Sequence, residues 1–437
     1  MRFTPNKLYL KLGLIGIMAL LLLIPTAMIQ ELVAEREQVQ QKAISEVTDK
    51  WGREQFITGP ILRIPFQRKI STKTNDSSRE MHEYTEFLYI LPEELRVSAS
   101  LEPEKRNRGI HEIVVYETKL QFQGKFDQLL AGAEGEPVES LQWEKAELMV
   151  GIPDLRGLEY QNGIRWNNTS LAFEPGLQKS ALAESGLRAR LNLKPTNDSS
   201  FTFDFSLRLK GSQKLAFSPV GKLTYVRMTS SWPHPSFTGA FLPDSSNIST
   251  DGFTAHWNVL QLNRNFPQRW MGDEYQPAEA AFGVELFLPA DQYQKTHRSI
   301  RYALLFIGLS FLVFFFHEMI AKMRLHPIHY LLVGIALVVF YTLLLSLSEQ
   351  IGFNTAFALS ALATLVLISS YVAAILQSTR FGVKIGGLLS ILYAFIFVVL
   401  QSDDYALLMG SLGLFMVLAG VMYFSRKIDW YTKEEGS

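Results

Sequence analysis

The chain has 437 residues and 42 Lys and Arg against 42 Asp and Glu, a formal net charge of zero that excludes the global positive field of a nucleic-acid binder. Charged residues are only 19% of the whole, and between Tyr302 and Phe424 just eight occur: Glu318, Lys322, Arg324, Glu349, Arg380, Lys384, Asp403 and Asp404. Ordinary soluble domains carry roughly 25%, so a single soluble globule is excluded, and a watery part joined to a lipid-facing part is expected.

The first predicted element is an apolar helix over residues 12–29, with Lys11 at its edge and Pro25 inside. Its apolar run is longer than a signal-peptide core, and no clean small-x-small cleavage site follows, so it reads as an uncleaved anchor. Residues 31–51 continue as helix: Leu32, Val39, Ala43, Val47 and Trp51 share one stripe, and Gly52 is a natural stop. The texture then changes to strands. The clearest is 200–210, where Phe201, Phe203, Phe205, Leu207 and Leu209 alternate with polar residues. Others are expected at 56–65, 86–91, 112–122, 148–152, 163–173, 188–193, 222–229, 252–258 and 283–288. Turn-rich stretches at 74–78, 132–137 and 195–199 separate them. This spacing predicts an antiparallel, sandwich- or barrel-like β domain. There is no cysteine, hence no disulfide or thiolate, and a region this large can bury a sufficient core without cross-links.

Five apolar segments follow, at 302–321, 327–347, 352–376, 385–400 and 405–424. A membrane-spanning helix needs about 20 mostly apolar residues, so six spans are expected in all. Arg2, Lys7 and Lys11 precede the first, Lys322 and Arg324 separate the second from the third, Arg380 and Lys384 separate the fourth from the fifth, and Arg426 and Lys427 follow the sixth. The alternate short loops hold Glu349, Asp403 and Asp404 and no Lys or Arg. By the positive-inside rule both termini are cytoplasmic and residues 30–298 lie outside. The expected parts are an anchor (1–30), a β-rich outer domain with a leading helix (31–298), a five-helix bundle (299–425) and a cytoplasmic tail (426–437).

Motifs for chemistry are scarce. His82-Glu83, His111-Glu112 and His317-Glu318 begin a zinc-protease pattern, but none has the second His four residues on. His326 and His329 are spaced for a metal, yet two ligands are weak grounds, and His326-Pro327 reads better as a helix start. There is no phosphate loop, dinucleotide fingerprint or nucleophile elbow. No catalytic residue, metal or cofactor is therefore assigned. The acidic residues near the spans sit at their ends, and the mid-span polar residues are small, among them Ser310, Thr364, Ser369 and Ser370. Helix packing explains these without a pore. The most distinctive string is Ser231-Trp232-Pro233-His234-Pro235-Ser236-Phe237, in which each proline holds the residue before it extended. It reads as a rigid corner between strands. Its display of Trp232, His234 and Phe237, together with His256 and Trp257, is the candidate surface for a ligand or partner.

At this string the chain resembles the CreD family of cell-envelope integrity proteins. The likeness also rests on Leu23-Ile24-Pro25, Gly59-Pro60-Ile61, Phe241-Leu242-Pro243, Gly252-Phe253-Thr254-Ala255-His256-Trp257 and Ala290-Asp291-Gln292-Tyr293-Gln294. In the apolar part it rests on Arg324-Leu325-His326-Pro327, residues 330–334, Leu347-Ser348-Glu349, Gly352-Phe353 and Ile428-Asp429-Trp430-Tyr431. Arg63, just after Gly59-Pro60, stands where an apolar residue is expected. The resemblance implies an inner-membrane protein of Gram-negative bacteria, with the β-rich domain in the periplasm. It further implies control by a two-component system and a tie to envelope stability and the β-lactam response. The expected function is a non-enzymatic contact between that domain and an unknown envelope protein, lipid or glycan, with the lipid bilayer as the other partner and no nucleic acid. The competing expectation is a membrane enzyme or transporter acting on an envelope lipid or glycan, which a pocket lined by Trp232, His234, His256 and Trp257 would favour.

Overall fold

The computed structural model describes residues 5–73, 79–130, 140–177, 182, 184–194, 196, 199–286, 288, 292–321, 325–401 and 406–426. The turns expected at 74–78 and 132–137 fall outside them. So do Arg2, Lys322, Arg324, Lys427, Asp403 and Asp404, and the family-like residues Ala290, Asp291 and 428–431. The chain forms two compact units, one from residues 1–41 and 290–437, the other from 42–289. Hydropathy alone had set those limits at 30/31 and 298/299.

The first unit is helical. Helix α1 spans Pro5–Leu21 and α2 spans Leu23–Trp51. Pro25 has no N–H to donate to Leu21, four residues back, and the regular ladder is interrupted at Leu22. Then come α3 (Gln292–Arg301), α4 (Ala303–Ala321), α5 (Pro327–Ile351), α6 (Phe353–Ile375), α7 (Thr379–Gln401) and α8 (Ala406–Ser425). Among the described residues the run Leu10–Trp51 and helices α5, α6 and α7 are each long and apolar enough to cross a membrane. Helices α3 and α4 meet at 43° and make a fifth such span when taken together. Helix α8 is apolar and covers the last expected segment. Pro327 opens α5 at a position where a missing N–H costs nothing, and His326 caps it, its Nδ1 accepting from the Ile328 N–H at 3.3 Å. The core of this unit includes Phe306, Phe311, Tyr330, Phe340, Tyr341, Phe357 and Tyr393.

The second unit is built of strands: β1 (Gln55–Lys73), β2 (Arg79–Ile90), β3 (Glu94–Arg108), β4 (His111–Asp127), β5 (Glu147–Gly151), β6 (Leu158–Trp166), β7 (Thr169–Leu171), β8 (Glu174–Pro175), β9 (Gly186–Arg190), β10 (Ser200–Ser212), β11 (Lys214–Phe217), β12 (Leu223–Ser230), β13 (Pro235–Gly239), β14 (Ser245–Ser249), β15 (Gly252–Leu260), β16 (Arg269–Met271) and β17 (Phe282–Leu286). One sheet has the order β13-β17-β11-β1-β5-β9-β8, with β2 on β1 and β16 on β2. The other runs β14-β15-β12-β3-β4-β10-β6-β7. Most pairs are antiparallel, as the alternation suggests, but β1 with β11 and β3 with β12 run parallel. Both parallel pairs join strands far apart in sequence, as parallel pairing requires.

The two sheets share one apolar core. Phe122 of β4 stacks on Phe205 of β10 with ring centres 4.8 Å apart, and also meets Phe217 of β11 edge-on at 6.2 Å. Strand β1 is buried on both faces through its first half. Its Gly59 has φ +132° beside the bulge where β1 leaves register with β5, and a Cβ there would sit 2.7 Å from the Met149 carbonyl. Arg63 keeps its unexpected place because its charge is compensated: its guanidinium pairs with Glu147 and lies 4.4 Å from the centre of the Phe87 ring, although its Nε is left without a hydrogen bond among the described residues. Arg188 then binds Glu147 at 3.2 Å, which spreads the buried charge over a network.

Candidate functional site

Trp232, His234, His256 and Trp257, which as a shared pocket would favour the enzyme or transporter expectation, are divided between core and surface. Trp232 is buried, and its indole N–H donates to the His234 carbonyl at 3.1 Å. Trp257 is buried, donates to the Phe241 carbonyl at 3.3 Å and meets Phe282 at 5.6 Å. Phe237, on β13, packs edge-on against Phe253 and Trp257 at 5.8 and 5.7 Å. Those aromatics belong to the core. His234 and His256 are exposed. Along β15 Ala255, Trp257 and Val259 point inward, so the period of two sends His256 to the opposite face.

That opposite face of the eight-stranded sheet holds an open trough of about 530 Å³. Its side chains come from four adjacent strands, β12, β3, β4 and β10. The register sets them in rows. In one row Arg227 lies between His256 and Ser98, and Gln121 and Ser206 continue it. In the next, Thr229, Ser100, Lys119 and Arg208 follow one another. The alternation that buries Val97, Leu120, Phe205, Leu207 and Met228 is what turns these polar residues outward.

Elsewhere on this face cations have acidic partners. Arg165 pairs with Asp204 at 2.6 Å, Lys210 with Glu159 at 2.6 Å and Arg96 with Glu94 at 2.6 Å. In the trough Lys119 pairs with Glu102 at 3.0 Å. The Arg208 and Arg227 side chains make no ion pair or hydrogen bond among the described residues. Arg208 faces Lys119 directly across the strands, a like-charge pairing that costs stability. The acids of the neighbouring row are Glu102 and Glu117, which face each other.

The ionisable groups that the fold perturbs lie elsewhere in the unit. Burial alone would raise the Asp154 carboxyl, but the Arg156 side chain at 2.9 and 3.0 Å and the N–H groups of Arg53 and Arg156, both at 3.1 Å, hold it below the usual carboxylate range. Burial raises Tyr116, whose hydroxyl donates to the Lys214 carbonyl at 2.7 Å. Burial lowers Arg264 to about 10. All three groups tie loops or strands together and none lines the trough.

The helical unit has a polar centre of its own. Glu318 is only 2% exposed and pairs with Lys11 of α1. Lys11 also donates to the Leu325 carbonyl at 2.8 Å, and the Tyr330 hydroxyl donates to Glu318 at 3.0 Å. The cationic partner of Glu318 among the described residues thus comes from the other end of the chain. Close by, Tyr330 and His329 line a small hollow with Phe314, Leu325, Val333 and Tyr371, and His329 Nδ1 is 3.0 Å from the Tyr371 hydroxyl. Among the described residues no group of three or more His, Asp or Glu is placed to hold a metal ion.

Sequence reasoning missed both polar centres. The trough had a usable signal, since Ser206 and Arg208 are the polar partners of the clearest alternation in the chain. Nothing local could have joined Lys11 to Glu318.

A family model described as Inner membrane protein CreD matches residues 7–431. The chain belongs to the CreD family. Inner membrane protein CreD of Escherichia coli strain K12 is 33% identical over 418 residues, which are 94% of this chain and 91% of that protein. With its apolar helices, this CreD-family chain is a multi-pass inner-membrane protein. Among solved structures, an M1 zinc metallopeptidase of Deinococcus radiodurans matches at a TM-score of 0.21 and 10% identity, over 45% of this chain and 42% of that one. A two-domain M1 zinc metallopeptidase mutant bound to L-arginine matches at 0.20 and 11%, over 50% and 54%. At these scores neither likeness supports a shared fold or chemistry.

Proposed function

We propose that this chain supports envelope integrity, including resistance to β-lactam stress, through a non-catalytic contact between its sheet unit and an envelope component. In this reading six helices cross the inner membrane, both termini are cytoplasmic and the sheet unit lies in the periplasm. The loop charges support that orientation. The observation that carries the contact is the open polar trough, where the Arg208 and Arg227 side chains stand without partners among the described residues, on a sheet that otherwise pairs its cations. The perturbed groups of the same unit act as ties within packed structure, and this too favours binding over catalysis.

The test has two parts. A reporter fused after Ser437 should read as cytoplasmic and one inserted near Asn75 as periplasmic; the reverse result removes the reading. In cells, Arg208→Gln with Arg227→Gln should lower envelope resistance at normal membrane levels. His234→Ala with His256→Ala should leave the protein folded, and a loss of resistance equal to that of the arginine pair would shift the contact toward those imidazoles.

One observation favours a second reading, an enzyme or transporter acting on an envelope lipid or glycan. It is the buried Lys11, Glu318 and Tyr330 centre next to the His329 and Tyr371 hollow, since an ionisable group inside a membrane bundle is a functional candidate by default. Loss of resistance in Glu318→Gln, with unchanged amount and thermal stability, would support it.

A further inference from the structure

We propose that the trough on the eight-stranded sheet binds an anionic glycan strand, with Arg227 and Arg208 holding acidic groups at its two ends and the floor between them holding sugar hydroxyls. This deepens the proposed envelope contact and rests on it. The two arginines stand on β12 and β10, with β3 and β4 between them. Three inter-strand steps of about 4.8 Å separate those strands by about 14 Å, so one ion cannot satisfy both guanidiniums and an extended ligand can. Ser98, Ser100, Gln121 and Ser206 cover the intervening floor. Hydroxyls and a carboxamide both donate and accept hydrogen bonds, which matches the mixed donors and acceptors of a sugar ring.

The same residues disfavour other occupants. The side chains turned into the trough are polar, while its apolar lining residues Ala99, Leu120 and Leu207 are buried in the core, so an acyl chain would meet no large apolar side chain there. The floor strands are interior to the sheet, so a peptide cannot add as a further strand, which needs a free edge. Among the described residues no aromatic ring lines the trough to stack a nucleobase. Charge complementarity then selects the sign of the ligand. Among the described residues Arg208 has no acidic partner and faces Lys119, and Arg227 has none beside His256. Guanidiniums are suited to carboxylate or phosphate because they can offer two parallel N–H donors. Glu102 and Glu117 border one side and confine a negative ligand to the rows of Arg227 and Arg208.

The experiment uses the full chain in detergent micelles, with an acidic hexasaccharide of galacturonate as probe and maltohexaose as its neutral counterpart. The acidic probe should bind at least about tenfold more tightly than the neutral one, and its affinity should fall as salt rises. Arg208→Gln with Arg227→Gln should remove most of that preference, Arg208→Lys with Arg227→Lys should restore part of it, and Ser100→Trp should block binding by filling the floor without altering charge. Equal affinity for the two probes, indifference to the arginine pair, or full competition by inorganic phosphate at the affinity of the hexasaccharide would overturn the proposal. The same variants separate the two levels of inference. Lost resistance in cells with unchanged hexasaccharide binding refutes the glycan and leaves the trough as the contact. Lost binding with intact resistance refutes the trough as the functional contact and leaves the glycan site standing.

Discussion

In the sheet unit Phe122, Phe126, Leu148 and Val284 are buried while Arg96, Lys119, Arg165 and Arg208 face outward. In the helical unit the arrangement is close to inverted. Ile17, Leu20, Val366, Leu367 and Ile391 face outward, and Glu318, Ser310, Ser348 and Thr364 are buried. The difference teaches what each surface is in contact with. Water rewards charge outside and apolar residues inside. Lipid gives apolar surface no reason to hide, so there the polar groups turn inward and must find partners within the bundle. A charge in the first unit is therefore free to serve an outside ligand, whereas a charge in the second is committed to its neighbours.

The largest effect should come from the core of the sheet unit. Phe122→Ala removes a ring that both sheets share, and a loss of about 3–5 kcal/mol is expected, read as a fall in the unfolding midpoint of the purified protein. A change under about 1 kcal/mol would mean that the sheets do not depend on a common core.

The sharpest test of the comparison is the buried pair. Lys11→Met alone leaves Glu318 in an apolar bundle with only Tyr330 as partner among the described residues, at a cost of about 3–5 kcal/mol. The double change Lys11→Met with Glu318→Leu should regain most of it, because replacing both partners removes the uncompensated charge. Membrane abundance and thermal stability in detergent would both report this. A double variant no better than the single would show that the pair does more than close the bundle.

A smaller effect is expected at Asp154. Its folded-state pKa lies below its unfolded value. Its stabilising contribution is thus complete above the unfolded pKa, near 4, and is lost as pH falls through the folded value. Asp154→Asn should cost about 1–2 kcal/mol at neutral pH and flatten the acid limb of the stability profile. A variant that loses the same stability at every pH would rule out the carboxylate as the cause.

The smallest stability effect belongs to the trough. Arg208→Gln with Arg227→Gln should change stability by less than about 0.5 kcal/mol, with any shift in the direction of gain, since Arg208 opposes Lys119. Chemical denaturation measures this. A large loss would mean that the arginines are structural and would blur the contrast between a displayed charge and a committed one.

Much of this was legible because periodicity is local. The alternation at 200–210 reappears as β10, the stripe from Leu32 to Trp51 as α2, and the apolar runs as helices. The misses have physical causes. Strand β3 lies in the middle of its sheet, yet its inward side carries small Ala99 among Leu95, Val97 and Leu101, and its later half is charged, so the strand signal fades. The segment expected as one strand at 163–173 is the hairpin of β6 and β7, turned at Asn167 with φ +47°, a conformation asparagine tolerates. Trp232, His234, Phe237, His256 and Trp257 stood out by residue type, but residue type did not sort them: the two sides of β15 part His256 from Trp257, and Trp232, ahead of β13, turns inward to bond the His234 carbonyl.

By itself the sequence determined the partition into lipid-facing helices and a water-facing β unit, because hydropathy and its period depend only on residues near one another along the chain. It also carried the family. Only the tertiary structure decided that Arg227 and Arg208 end one trough and that Lys11 meets Glu318, since register and packing join residues whose separation in sequence leaves no local trace.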